Sequence, residues 1–151
     1  MHVAILIELA GRSEQERRLM YVENDMTLII LVVEDVAETR DGIEKLLKAD
    51  GYRVEAARDE PDAIESARRK RPDLILVSLP GLPRDMIVTA RRIRERAGLR
   101  DNVPVVLFCI DEIGEGDEVA IGRNVYITRP DNFNQLRSLL TRLLLKIPNA
   151  A

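Results

Sequence analysis

From Met26 onward, short unbroken apolar runs alternate with amphipathic stretches, and turn-forming residues separate the two. The runs are LIILVV (28–33), a weaker YRVEAA (52–57), LILV (74–77), VPVVLFCI (103–110) and VYIT (125–128). An apolar run that does not alternate with polar residues suits a strand covered on both faces, as in a parallel sheet whose crossover helices lie above and below it. The rhythm predicts an α/β fold: one doubly wound, five-stranded parallel sheet of the (βα)5 type. In such sheets ligands gather at the carboxyl ends of the strands, around the point where strand order reverses. Chemistry is therefore expected after the first, third, fourth and fifth strands.

The stretches between the runs carry helix signals. Val36, Ile43, Leu46 and Leu47 fall at helical spacing, and the pattern stops at Asp50-Gly51, where glycine can take the left-handed closing conformation. Asp59-Glu60-Pro61 supplies a cap and a first-turn proline; Ala63, Ile64 and Ala67 form a stripe, and the basic run 68–71 complements the helix dipole. Asp85 is placed to cap a third helix, with Met86, Ile87, Ala90 and Ile93 inward and Arg91, Arg92, Arg94 and Arg96 on a solvated face that could also dock an acidic partner. The last helix opens near Asp131-Asn132 and carries Phe133, Leu136, Leu139, Leu140, Leu143 and Leu144. Between the fourth and fifth strands the same rhythm calls for a helix in 111–124. Gly114 and Gly116 each cost about 1 kcal/mol there relative to alanine, so it is expected to be short or irregular.

At 151 residues the chain is one domain's worth of sequence. Residues 1–26 fall outside the repeat and read as an extension, 27–147 as the domain and 148–151 as a tail; within the extension VAILIEL (3–9) could be a strand. With 46% hydrophobic and 32% charged residues the composition is globular. The net charge of -3 offers no bulk attraction to nucleic acid or anionic lipid. The apolar runs are short of the roughly 20 residues that cross a bilayer, and the first ten residues make a poor secretory signal. A cytoplasmic protein with neither nucleic acid nor membrane as partner is expected. His2 is the only histidine and Cys109 the only cysteine, which removes Ser-His and Cys-His nucleophile pairs and His- or Cys-rich metal sites.

The strand ends hold the remaining chemistry. The first strand ends in Glu34-Asp35, the third in Ser78 before a Pro/Gly loop, the fourth in Phe108-Cys109, and the fifth in VYITRP with Tyr126 and Arg129. Adjacent carboxylates can hold a hard cation, and the plainer alternative is that Asp35 caps the first helix. In this order the motifs resemble the receiver domain of bacterial response regulators, a flavodoxin-like fold, over residues 27–147. The resemblance implies a phosphoryl-accepting pocket that maps onto Glu34 and Asp35 for an acidic, Mg²⁺-binding pair and onto Ser78 for the acceptor aspartate. Cys109 falls on a Thr or Ser position, Arg129 on a lysine before proline, and Tyr126 on an aromatic switch.

Three of those positions depart from the family pattern. A serine hydroxyl needs a general base where an aspartate is already ionised, and the pocket is one carboxylate short, so Mg²⁺ binding at Glu34 and Asp35 should be weak or absent. Cys109 donates only a weak hydrogen bond, and its plainer reading is a small buried hydrophobe. Arg129 presents a planar fork that could grip the acidic pair, and the resemblance implies a cis peptide at Arg129-Pro130. Tyr126 is either a half-buried strand aromatic or a switch.

The reading is a degenerate, non-enzymatic receiver in two-component or phosphorelay signalling that works by contact with a histidine kinase or an output protein, with no cofactor. The rivals are a receiver that accepts phosphate on a non-standard residue and a flavodoxin-like small-ligand binder. The leucines at 143–145 exceed one sheet-facing stripe, so a homodimer contact through the last helix is also expected, with 3–9 as a further apolar contributor.

Overall fold

The structure, a computed structural model, describes residues 27–108 and 113–145. Six strands and four helices follow one another as β1 (Ile29–Glu34), α1 (Ala37–Ala49), β2 (Arg53–Ala57), α2 (Glu60–Arg69), β3 (Leu74–Ser78), α3 (Pro83–Arg96), β4 (Val105–Phe108), β5 (Glu118–Ala120), β6 (Val125–Thr128) and α4 (Phe133–Leu145). The sheet order is β2-β1-β3-β4-β6-β5, parallel except for β5, which runs antiparallel to β6. The five expected strands all form, and β5 is added at one edge.

Each parallel strand buries alternate residues on opposite faces. Leu31, Val33, Ile75, Val77, Val105 and Leu107 meet Ala63 and Ala67 of α2 and Met86, Ala90 and Ile93 of α3. Ile30, Val32, Leu74, Leu76 and Val106 meet Leu47 of α1 and Leu136, Leu139, Leu140, Leu143 and Leu144 of α4. This two-sided burial is why the runs carry no polar alternation. Leu143 and Leu144 are 5% and 2% exposed, so they belong to the core and do not form a spare outer face. On α1 only Leu47 is fully buried; Val36 and Leu46, expected inward, are 51% and 45% exposed.

Of the two aspartates expected to cap α2 and α3, one does so. Asp59 caps α2 by accepting from the Asp62 N–H at 3.0 Å. Asp85 does not cap α3, which begins three residues earlier, at Pro83 after Leu82, because proline fits the first helical position, where no N–H is needed. The arginines of α3 are not one solvated face either. Arg94 is 3% exposed, donates to the Val103 carbonyl at 3.0 Å and pairs with Asp101 at 3.4 Å. Arg92 and Arg96 both reach Glu60 at the start of α2. In return Arg68, at the end of α2, donates twice to the Arg96 carbonyl, at 3.0 and 2.7 Å, satisfying an orphan acceptor of α3.

The helix expected within 111–124 is absent from its described part, 113–124. Gly116, at φ +84°, and Asp117 both oppose Arg129: the Gly116 N–H donates to the Arg129 carbonyl at 2.7 Å, and the Arg129 N–H to the Asp117 carbonyl at 3.2 Å. Two residues against one, the first a left-handed glycine, make a β-bulge. The chain then pairs as β5 and turns back through Gly122, Arg123 and Asn124, all at positive φ.

Candidate functional site

β1 and β3 are hydrogen-bonded neighbours in a register that sets Glu34 opposite Ser78 at their carboxyl ends. The Ser78 hydroxyl donates to Glu34 Oε1 at 3.4 Å. Glu34 is 5% exposed, and its pKa is raised, chiefly by burial and then by a hydrogen bond shared with the Asp35 side chain. Backbone N–H groups of Val36 and Asp35 pull the other way and partly compensate. Asp35 is exposed and does not cap α1, whose N-cap is Val36 with no side-chain cap bond.

The expectations for β6 and the turn after it are met only in part. Arg129 follows β6 directly, as the sequence places it, but its guanidinium donates to the Ile113 carbonyl at 3.3 Å. No carboxylate among the described residues lies within ion-pair distance of it, and the Arg129-Pro130 peptide is not cis. The cause is the bulge. It ties both backbone groups of Arg129 to residues 116 and 117, beside the loop whose Ile113 carbonyl its guanidinium meets. Tyr126 is half-buried on β6, and its hydroxyl donates to Asn124 Oδ1 at 2.8 Å. Cys109 lies outside the described residues.

Sequence reasoning missed Arg40. One turn into α1, it donates from Nη1 to the main-chain carbonyl of Glu34 at 2.8 Å and so holds the end of β1 in place. Nothing in the apolar pattern marks it, since the bond is to backbone.

The carboxyl ends therefore present a buried carboxyl with a raised pKa, a neighbouring hydroxyl and one exposed carboxylate. Among the described residues no group of three His, Cys, Asp or Glu is placed to hold a metal ion. Among the described residues the site offers two adjacent carboxyls, Glu34 and Asp35, and a hard cation wants more oxygen ligands than these two supply.

A doubly wound parallel sheet with acidic and hydroxyl side chains at its carboxyl ends is the architecture of a signal receiver. Residues 30–141 match the family model for the response regulator receiver domain, and the chain belongs to that family. Among curated proteins it is similar to the response regulator PleD of Caulobacter vibrioides, 34% identical over 131 residues that are 81% of this chain and 28% of PleD. It is 32% identical to the response regulator MprA of Mycobacterium ulcerans, over 83% of this chain and 56% of MprA. It is also 32% identical to the sensor histidine kinase AruS of Pseudomonas aeruginosa, over 82% of this chain and 13% of AruS. The chain thus spans only part of the length of these relatives.

Among solved structures, the receiver domain of the sensor histidine kinase PA1611 from Pseudomonas aeruginosa, described with magnesium coordinated in its active-site cleft, is 31% identical. Its TM-score is 0.58, covering 78% of this chain and 98% of that one. A CheY-like receiver from Methanospirillum hungatei shares the fold, with TM-score 0.63 at 16% identity over 83% of this chain and 99% of that one.

Proposed function

We infer that the chain is a receiver module of two-component signalling that does not take up phosphate on an aspartate and acts through contact with another signalling protein. The observation that carries this reading is Ser78 at the end of β3, bonded to buried Glu34 at 3.4 Å. The family resemblance puts the accepting aspartate at that position. A neutral hydroxyl there attacks phosphorus only with a base to take its proton, and the described site holds no histidine. Among the described residues Glu34 is the carboxyl that the hydroxyl contacts, and at 3.4 Å that contact is too long for the strong hydrogen bond through which a base takes a proton.

The same features make Mg²⁺ binding at Glu34 and Asp35 weak, and Arg129 is engaged elsewhere. The module is accordingly a non-enzymatic binding partner of a histidine kinase or an output protein, working in the cytoplasm without nucleic acid or membrane contact. Among the described residues no helix is long and apolar enough to cross a membrane. A homodimer contact on α4 would have to use Leu145, 66% exposed, and the groove beside it, because Leu143 and Leu144 are committed to the core.

Acetyl phosphate with Mg²⁺, followed by intact-mass spectrometry, tests the reading. No Mg²⁺-dependent phosphoryl adduct is expected on the wild-type chain. A stable adduct that requires Mg²⁺ overturns it.

A further inference from the structure

β5 stands at the sheet edge, and among the described residues no strand pairs with its outer side. Its three residues, Glu118, Val119 and Ala120, are all exposed, Val119 at 41%. The inner hydrogen bonds fix which way each backbone group points. The Asp117 carbonyl accepts from Arg129 and the Ile121 N–H donates to the Val125 carbonyl at 3.0 Å, which puts 117, 119 and 121 on the β6 side of the ladder; the Asp117 N–H and the Ile121 carbonyl are taken by Gly114 and Arg91. By the alternation of an antiparallel ladder, Glu118 and Ala120 turn theirs outward, leaving two donors and two acceptors on the free edge. Natural edges are commonly kept unpaired by lysine or proline, which this window lacks, and by shortness and bulges, which confine any pairing here to the three residues of β5 beyond the Gly116 bulge.

We propose that β5 is a self-pairing edge, through which two copies of the chain join antiparallel about a two-fold axis at Val119. This register pairs Glu118 of each copy with Ala120 of the other, so each outward N–H meets an outward carbonyl, and sets the two Val119 side chains against each other as the close, non-hydrogen-bonded pair. Such an interface is self-complementary, as a two-fold axis requires.

Charge selects a second copy as the occupant. The strand is acidic at its start, with Glu115 and Asp117, while Glu118 is held by Arg142 of its own copy at 2.7 Å; Arg123 lies in the turn that closes it. Arg123 has no carboxylate within ion-pair distance among the described residues and repels buried Arg94. Antiparallel pairing brings the acidic start of one copy beside Arg123 of the other, whereas parallel pairing sets like charges side by side. Three-residue strands bury little area, so association is weak and belongs to the micromolar range or above.

Sedimentation of the full chain across a concentration series, with amide exchange at Glu118 and Ala120, tests this. A concentration-dependent dimer is expected, with both amides protected only where the dimer is populated. Ala120→Pro removes an outward donor while sparing the bonds to β6, and Val119→Lys leaves every backbone group in place; each should weaken the dimer by about tenfold or more, with an unchanged circular dichroism spectrum. Arg123→Glu should weaken it, and adding Glu115→Arg should restore it. The proposal is overturned by a chain that stays monomeric at concentrations on the order of several hundred micromolar, including one whose edge amides are protected in the monomer by another segment of the same chain. A dimer indifferent to all of these substitutions also overturns it, pointing to the α4 groove.

Discussion

Glu34 and Ser78 end adjacent strands in the same register, so the least exposed carboxyl among the described residues has a hydroxyl for its cross-strand neighbour. That pairing sets the chemistry of the carboxyl-end pocket and yields two of the outcomes below.

Ser78→Asp adds an ionised carboxylate beside Glu34 and Asp35. Titration with Mg²⁺ should then show measurable binding where the wild type shows little, and acetyl phosphate should give partial phosphoryl uptake. Uptake stays incomplete because Arg129 remains turned to Ile113. A variant that binds Mg²⁺ no better than wild type defeats the expectation.

Glu34→Gln keeps an acceptor for Ser78 and removes a buried charge. The folded-state pKa of Glu34 is raised by burial, so the folded chain binds this proton more tightly than the unfolded chain does. Stability falls as pH rises from the ordinary carboxylate range through the raised value, and the loss is complete only above that value. The variant should melt a few degrees above wild type on the alkaline side of the raised value, with the gap closing as pH is lowered. Thermal melts at several pH values in the absence of divalent metal read it directly.

Glu60 titrates with the opposite sign. Arg92, hydrogen-bonded to it, and more weakly Arg96 hold its carboxyl below the usual range. That stability is fully present above the ordinary carboxylate pKa and disappears as pH drops through the depressed value. Glu60→Gln should lower the Tm by a few degrees at pH 7 and converge with wild type in acid.

Gly116→Ala puts a Cβ at φ +84° and 3.0 Å from Asp131 Oδ2. A cost of about 1–2 kcal/mol follows from the left-handed backbone alone. Because the bulge aims Arg129, urea melts should show the loss and a structure of the variant should show the guanidinium displaced from Ile113.

The parallel strands were legible because both faces are covered, so LILV (74–77) and its counterparts announce themselves by unbroken apolarity. β5 was not, because Glu118, Val119 and Ala120 are all exposed and leave neither a run nor an alternation. Gly114 and Gly116 were read as flaws in a helix, whereas Gly116 is what a bulge demands. At the site, the register of Glu34 and Ser78 follows from the strand pattern, and the direction of Arg129 does not, since a backbone bulge in a distant segment sets it. Buried Arg94 was equally hidden: composition alone cannot tell a solvated arginine from one that caps a loop carbonyl.

The hairpin also bears on the order of assembly. Every other strand pairing is parallel and must wait for a crossover to close, whereas β5 and β6 are separated only by residues 121–124. Hairpins of this length form on a scale of about 1–10 μs, far ahead of pairings that join distant segments. The β5–β6 pairing is thus the one strand contact in the described sheet whose formation needs no crossover, so the outer side of β6 is covered by its own chain neighbour rather than by a distant segment.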